Sequence, residues 1–256
     1  MDILDDVLLK IKPADDENKR LDESIKNVIE KIKYHLNNID ADPILVGSVA
    51  KGTHLKNPDV DIFIRYSTHY PREFIEKNTL EIGSMVLENP VKRYAEHPYV
   101  HGYFNGFEFD IVPCYRIEDS KQKITAVDRT PFHTEYIKKN MNDEMKDQVR
   151  ILKQFLKGIG IYGAEAKIEG FSGYLSELLI LKFGTFVDLI KSASKWKAYK
   201  IITIEKINQK NLYEKFKNPL IVIDPVDPNR NVASALSLTN YSMFIHASRE
   251  FLKNPS

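Results

Sequence analysis

Cysteine is almost missing from this chain: Cys114 stands alone among 256 residues. One thiol can build neither an internal disulfide framework nor a cysteine zinc cluster, and one set in the apolar run IVPCY reads as a small core residue in a reducing cytoplasm. A surplus of charge is missing too. Lys plus Arg number 37 and Asp plus Glu 36, a formal net charge of +1. Bulk electrostatics therefore neither demands nor excludes nucleic acid, and any nucleic-acid site has to be a local basic face. No stretch approaches the roughly eighteen uninterrupted apolar residues of a membrane-spanning helix, and the opening MDILDDVLLKIKPADDENKR is acidic where a secretory leader is basic. No membrane partner is expected, and a cytoplasmic location is. Internal repeats and low-complexity tracts are absent as well.

What is present is the composition of a globular protein, 43% hydrophobic and 29% charged, in a chain long enough for one large or two ordinary domains. A short apolar helical pattern ends at Pro13, and a longer helix follows over about 15–37, with Leu21, Ile25, Val28, Ile29, Ile32 and Leu36 at helical spacing. Residues 71–89 read as a crossover helix. Asn105-Gly106 between alternating apolar and polar positions signals a hairpin pairing Tyr99–Phe104 with Phe107–Val112. Residues 117–129 read as loop, Thr130-Pro131 opens a helix, and Asn142–Lys157 forms another. Phe171–Ile190 reads as one strongly apolar helix, 220–224 as a strand and Val232–Leu252 as a final helix. The expected fold class is thus α/β followed by α, with domains at 1–140 (mixed sheet flanked by helices) and 141–256 (mainly helical).

The chemistry concentrates in Leu45–Arg65, LVGSVAKGTHLKNPDVDIFIR. Pro43–Val46 reads as a short buried strand broken by Gly47-Ser48, where a glycine lets backbone N–H groups approach a phosphate and the serine hydroxyl adds a donor; Lys51 follows as a nearby cation. Side chains alternate faces along a strand, so Asp59 and Asp61 point the same way. Two like charges side by side are costly unless a cation neutralises them, and Mg²⁺ prefers carboxylate oxygens. The alternative is a surface strand carrying two solvated aspartates. In the hairpin, Phe107, Phe109 and Ile111 share one face, which leaves Glu108 and Asp110 on the other.

The Gly-Ser turn followed after a short spacer by DVDIFI resembles the nucleotidyltransferase superfamily of DNA polymerase beta. RYAEHPYVHG, FEFDIVPCY, TAVDRTPFHT, GIYGAEAKIEGFSGYLSELLI and DPVDPNRNVASALS narrow the likeness to the archaeal, class I CCA-adding enzymes, from about residue 20 to residue 256. The resemblance implies a nucleotidyltransferase head and a helical neck, and transfer of nucleotides from CTP and ATP to the 3′ acceptor end of tRNA with Mg²⁺. It implies metal binding by Asp59, Asp61 and Asp110, with Glu108 as local competitor for the third position. It implies triphosphate contacts from Gly47, Ser48, Lys51, His133, Lys153 and Tyr162 across a head–neck cleft, and base reading by Arg230. Read as chemistry alone, His133 is equally a helix N-terminal residue, Lys153 a solvated charge, Tyr162 a core aromatic, and Arg230 a surface partner of Asp224 or Asp227. A homodimer is a further expectation. Family members continue into further tRNA-gripping domains, so the chain is expected to be a head-and-neck fragment or a short relative. Competing functions are a small-substrate nucleotidyltransferase, a poly(A)-type terminal transferase and a non-catalytic RNA-binding relative.

Overall fold

The computed structural model describes residues 3–206 and 211–255. The chain divides into two compact units, Pro13–Glu135 and Met1–Lys12 with Tyr136–Ser256. Helix α1 (Ile3–Ile11) therefore lies with the C-terminal unit and not with residues 13–140 as the sequence suggested. None of its residues is fully buried, and Leu4 and Leu8 find their apolar partners in the C-terminal core.

In the Pro13–Glu135 unit, α2 (Asp15–His35) carries acids in its first turn and Lys33 and His35 in its last, each matched to the helix dipole. Its stripe of Leu21, Ile25, Val28 and Ile32 is buried. There follow β1 (Ala41–Val46), the short α3 (Gly47–Lys51), β2 (Asp59–Tyr66), α4 (Arg72–Val86), β3 (Glu88–Tyr94), β4 (Pro98–Phe104) and β5 (Phe107–Tyr115). The sheet order is β1-β2-β5-β4-β3. Strands β2 and β5 are parallel and the other neighbours antiparallel. Asn105 and Gly106 both take positive φ, 50° and 81°, the mirror-image turn whose twist suits a two-residue hairpin.

Strand β3 is a departure from the sequence reading. ENPVKRY is exposed along its whole length and has no apolar alternation; it is an edge strand held by backbone pairing to β4, with the charged side chains and proline that edges favour.

The sheet has two unlike faces. Val60, Ile62, Ile64 and Tyr66 of β2 and Phe109 and Ile111 of β5 lie in one core with α2 and α4. The alternate residues of the same strands, Asp59, Asp61, Phe63 and Asp110, face the other way. A one-residue slip of β2 would expose three fully buried side chains, Val60, Ile62 and Ile64, each contributing about 1.5–3 kcal/mol, and would drive two aspartates into the core. Burial on one face thus sets the position of the carboxylates on the other.

Past β5 the polar stretch is not formless: Asp128, fully buried, accepts from the backbone N–H groups of Tyr115, Ile124 and Thr125. Helix α5 covers Thr130–Asn140.

In the other unit, α6 (Asp143–Gly158) is capped by the Asn142 side chain accepting from Met145 N–H at 2.9 Å. The apolar run 171–190, expected as one helix, is two: α7 (Gly173–Phe183) and α8 (Phe186–Ala193). Gly184 at φ 82° ends the first, and the Thr185 hydroxyl caps the second. Strand β6 (Lys200–Thr203), also absent from the sequence reading, pairs in parallel with β7 (Leu220–Ile223); α9 (Leu212–Phe216) lies between them. The final helix, α10 (Leu238–Lys253), starts six residues later than expected because Ser237 caps it. Phe171, Leu175, Leu179, Phe186, Trp196, Tyr241 and Phe244 are among the residues that fill this unit's core. No described helix is long and apolar enough to cross a membrane.

Candidate active site

Asp61 and Asp110 are register partners on parallel neighbours β2 and β5, and Asp59 stands opposite Glu108 at the mouth of the same pair. Burial pushes the Asp61 carboxyl up to about 7, Asp110 and Asp59 push the same way, and Lys51 pulls it down. Burial also raises Asp110, against the pull of His101. His101 is the register partner of Asp110 on β4 and brings Nδ1 to 2.8 Å from Asp110 Oδ1. Its Nε2 lies 3.8 Å from Glu108 Oε2. Sequence reasoning missed His101. The hairpin register would have found it, since pairing counted back from Asn105-Gly106 sets 101 against 110.

Gly47 faces this pair. Its φ is 71°, and a Cβ there would lie 2.0 Å from Asp61 Oδ2, so only glycine suits both the backbone and the space. Ser48, whose carbonyl accepts from Thr53 N–H at 3.0 Å, is half-buried beside it, and Lys51 is buried at the end of α3. His133 is half-buried in the first turns of α5.

Oxygen donors on one face, with more negative charge than Lys51 offsets, fit a hard divalent cation. As they stand, no three His, Cys, Asp or Glu side chains among the described residues converge on a single ion. Asp110 is instead engaged with His101.

The remaining candidates belong to the other unit and gather around the first turn of α7. A Cβ added at Gly173 would lie 3.2 Å from the Tyr162 hydroxyl and 3.9 Å from Lys153 Nζ, so those two groups meet over the helix start. Lys153 is buried, and Lys157 Nζ sits 5.6 Å from the Tyr162 ring centroid. Arg230 has the bland partner foreseen for it: its Nη1 donates to Asp224 Oδ2 at 3.0 Å. Asp224 has no exposed surface and also accepts at Oδ1 from the Tyr174 hydroxyl at 3.1 Å and from Val226 N–H at 3.0 Å. Burial, helped by the Asp224 carboxylate, pushes the Tyr174 hydroxyl far up. This pairing does not use up the guanidinium: the Arg230 side chain keeps 31% of its surface exposed, and one fork of a planar donor set can be anchored while the other reads a ligand.

Residues 23–133 match the nucleotidyltransferase domain family and residues 147–256 the family described as tRNA nucleotidyltransferase, second domain. The CCA-adding enzyme of Thermoplasma acidophilum is 43% identical over 252 residues, 98% of this chain and 57% of that protein. That of Methanococcus maripaludis is 45% identical over 267 residues, 100% of this chain and 60% of that protein. The chain belongs to the archaeal CCA-adding enzyme family. It spans less than two thirds of the length of these curated relatives. The nucleotidyltransferase superfamily to which this family belongs uses divalent metals. The fold recurs at low identity: a cytoplasmic RNA terminal U-transferase superposes with a TM-score of 0.74 at 16% identity, over 99% of this chain and 94% of that one. CdnC of E. coli MS115-1 with ATP superposes with a TM-score of 0.72 at 18% identity, over 96% and 90%.

Proposed function

We propose that the chain transfers CMP and AMP from CTP and ATP to the 3′-hydroxyl of tRNA in the cytoplasm, building the terminal CCA with release of pyrophosphate. The observation that carries this reading is the adjacency of Asp61 and Asp110 on parallel strands with the Gly47 turn packed against Asp61, in a chain whose relatives are named CCA-adding enzymes. Magnesium held by Asp59, Asp61 and Asp110 would supply the Lewis acidity that activates the attacking hydroxyl and offsets charge on the leaving pyrophosphate. The protein's own part is placement. Gly47 keeps the turn close to the carboxylates, and the Ser48 hydroxyl and Lys51 offer donors and positive charge to phosphate oxygens. His133, Lys153 and Tyr162 act as further triphosphate contacts. Arg230, anchored through Asp224, reads the base edge; C and A share an exocyclic amine that G and U do not offer in the same place. Homodimer formation belongs to the same proposal and is checked by sedimentation.

The test is incubation with labelled CTP or ATP and tRNA lacking its last one to three nucleotides. Completion of CCA followed by arrest is expected. Long A tails would make the chain a poly(A)-type transferase, and label appearing only on small hydroxyl compounds would overturn RNA as the acceptor.

A further inference from the structure

The near-neutral chain hides a local excess of positive charge. Between 191 and 206, five lysines stand against the single Glu205, a local balance of +4 in a protein of net +1. The end of α8, the loop after it and the start of β6 shape these residues into an open pocket of about 720 Å³, rimmed by Lys191, Lys195, Lys197 and Lys200. Among the described residues none of these four ammonium groups pairs with a carboxylate.

The pocket is built, not frayed. Trp196, between two of the lysines, is 5% exposed; its ring stacks on Tyr241 at 6.2 Å and its indole N–H donates to Ser192 Oγ at 3.0 Å. Tyr241 donates its hydroxyl to the Lys197 carbonyl at 2.7 Å, and Arg249 Nε donates to the Ser194 carbonyl at 2.8 Å. Burying Trp196 turns Lys195 and Lys197 to solvent. Tyr199 takes φ 66°, an unfavourable left-handed backbone for an aromatic residue. Its exposed ring meets the exposed ring of Tyr213 at 4.6 Å. Cations without acidic partners among the described residues, on a backbone pinned at Ser194 and Lys197 and beside an aromatic pair presented at a cost in backbone energy, suit a phosphate chain with stackable bases. A concave pocket suits a strand better than a flat membrane.

We propose that this lysine pocket binds the phosphate backbone of RNA, as an anchoring point separate from the base-reading site. The proposal rests on RNA being the acceptor. Lys200 opens β6 opposite Leu220, and Ile223 closes β7 just before Asp224, the partner of Arg230. At about 3.3 Å per residue the four steps from Leu220, the register partner of Lys200, to Asp224 span roughly 13 Å. An RNA whose last base lies at Arg230 therefore has its backbone within reach of Lys200, on the rim of the same pocket.

The test compares the full chain with a K191Q/K195Q/K197Q variant, whose exposed changes leave the core untouched, and with a K138Q/K139Q/K253Q control of equal charge. Binding of an acceptor-stem minihelix is titrated at several salt concentrations, alongside the kinetics of nucleotide addition. The pocket variant is expected to bind the minihelix at least tenfold more weakly at low salt. Its slope of log Kd against log salt should flatten by about two to three units, from the 0.7–0.9 lost per phosphate contact. KM for RNA rises while kcat and KM for CTP stay unchanged. Affinity and slope within twofold of the parent would overturn the proposal, as would an equal loss in the control. Displacement of RNA by inorganic phosphate well beyond chloride of equal ionic strength would make the pocket a small-anion site. Loss of binding to phosphatidylserine-rich vesicles with RNA binding intact would make it a lipid site; either result overturns the RNA assignment. If the parent binds RNA through these lysines yet adds no nucleotide, the catalytic reading fails and the pocket stands; if it adds nucleotides and the variant is unaffected, only the pocket fails.

Discussion

In the Pro13–Glu135 unit a half-buried carboxyl meets another of its kind: Asp61 sits beside Asp110, with desolvation and both neighbouring aspartates raising its proton affinity. In the C-terminal unit a more deeply buried carboxyl, Asp224, is met by Arg230, by the Tyr174 hydroxyl and by a backbone N–H. One cluster is electrostatically incomplete without something from solution, whereas the other is complete as folded. A protein tolerates the first arrangement where a ligand completes it and builds the second where a side chain has to be held still.

The largest test of this contrast is to remove one of the like charges. Asp61→Ala and Asp110→Ala should each lower nucleotide addition on the order of 10³-fold or more, the equivalent of several kcal/mol of charge stabilisation. Asp61→Ala should not lower thermal stability in the absence of divalent metal, whereas Asp110→Ala also loses the hydrogen bond to His101 and should cost about 1 kcal/mol. Mg²⁺ should raise the Tm of the parent and leave that of Asp61→Ala unmoved, as scanning calorimetry would register. An Asp61→Ala variant that unfolds more readily without metal would show that the pair is not repulsive.

Next in size is Gly47→Ala. A methyl group aimed at Asp61 Oδ2 on a φ 71° backbone should cost about 1–3 kcal/mol of stability by denaturant titration and most of the activity. Full activity would mean that the turn has freedom to move off the carboxylates.

On the compensated side, Arg230→Ala should lose about 1–3 kcal/mol of discrimination between correct and incorrect nucleotides, measured as a ratio of kcat/KM values. An equal fall for all four nucleotides would make it a phosphate or structural residue. Tyr174→Phe leaves Arg230 in place but removes one of the hydrogen bonds that steady Asp224. It should cost about 1 kcal/mol of stability and a smaller part of the same discrimination.

The smallest effect is expected at a paired carboxylate away from both sites. Burial alone would raise Glu76, but hydrogen bonds from Arg72 and His97 outweigh it and hold the carboxyl below its ordinary 4.5. A depressed carboxyl contributes stability above its unfolded pKa and loses it as pH falls through the folded one. Glu76→Gln should therefore cost roughly 0.2–1 kcal/mol at neutral pH, and the gap to the parent should close as the pH drops below about 4.5. A gap that widens in acid would reverse the sign.

By itself the sequence determined what depends on near neighbours. Alternation along DVDIFI put Asp59 and Asp61 on one face, Asn105-Gly106 set the hairpin, and the apolar stripe of α2 declared itself, because side-chain direction follows from a period of 2.0 or 3.6 residues. Only the tertiary structure decided which strands become neighbours. Asp110 lies beside Asp61 because β5 slots in parallel next to β2 with its own apolar face under α2 and α4. Nothing within either strand specifies that pairing. The exposed edge strand β3 and the four-residue β6 carry no periodicity of their own and exist through their partners. Arg230 and Asp224 are close in sequence, but Tyr174, fifty residues upstream of Asp224, reaches that carboxylate only after α7 has packed. Lys195 and Lys197 reach the surface together because Trp196 between them is buried. Contacts of this kind depend on which hydrophobic faces find each other, a property of the whole folded chain and of no single segment.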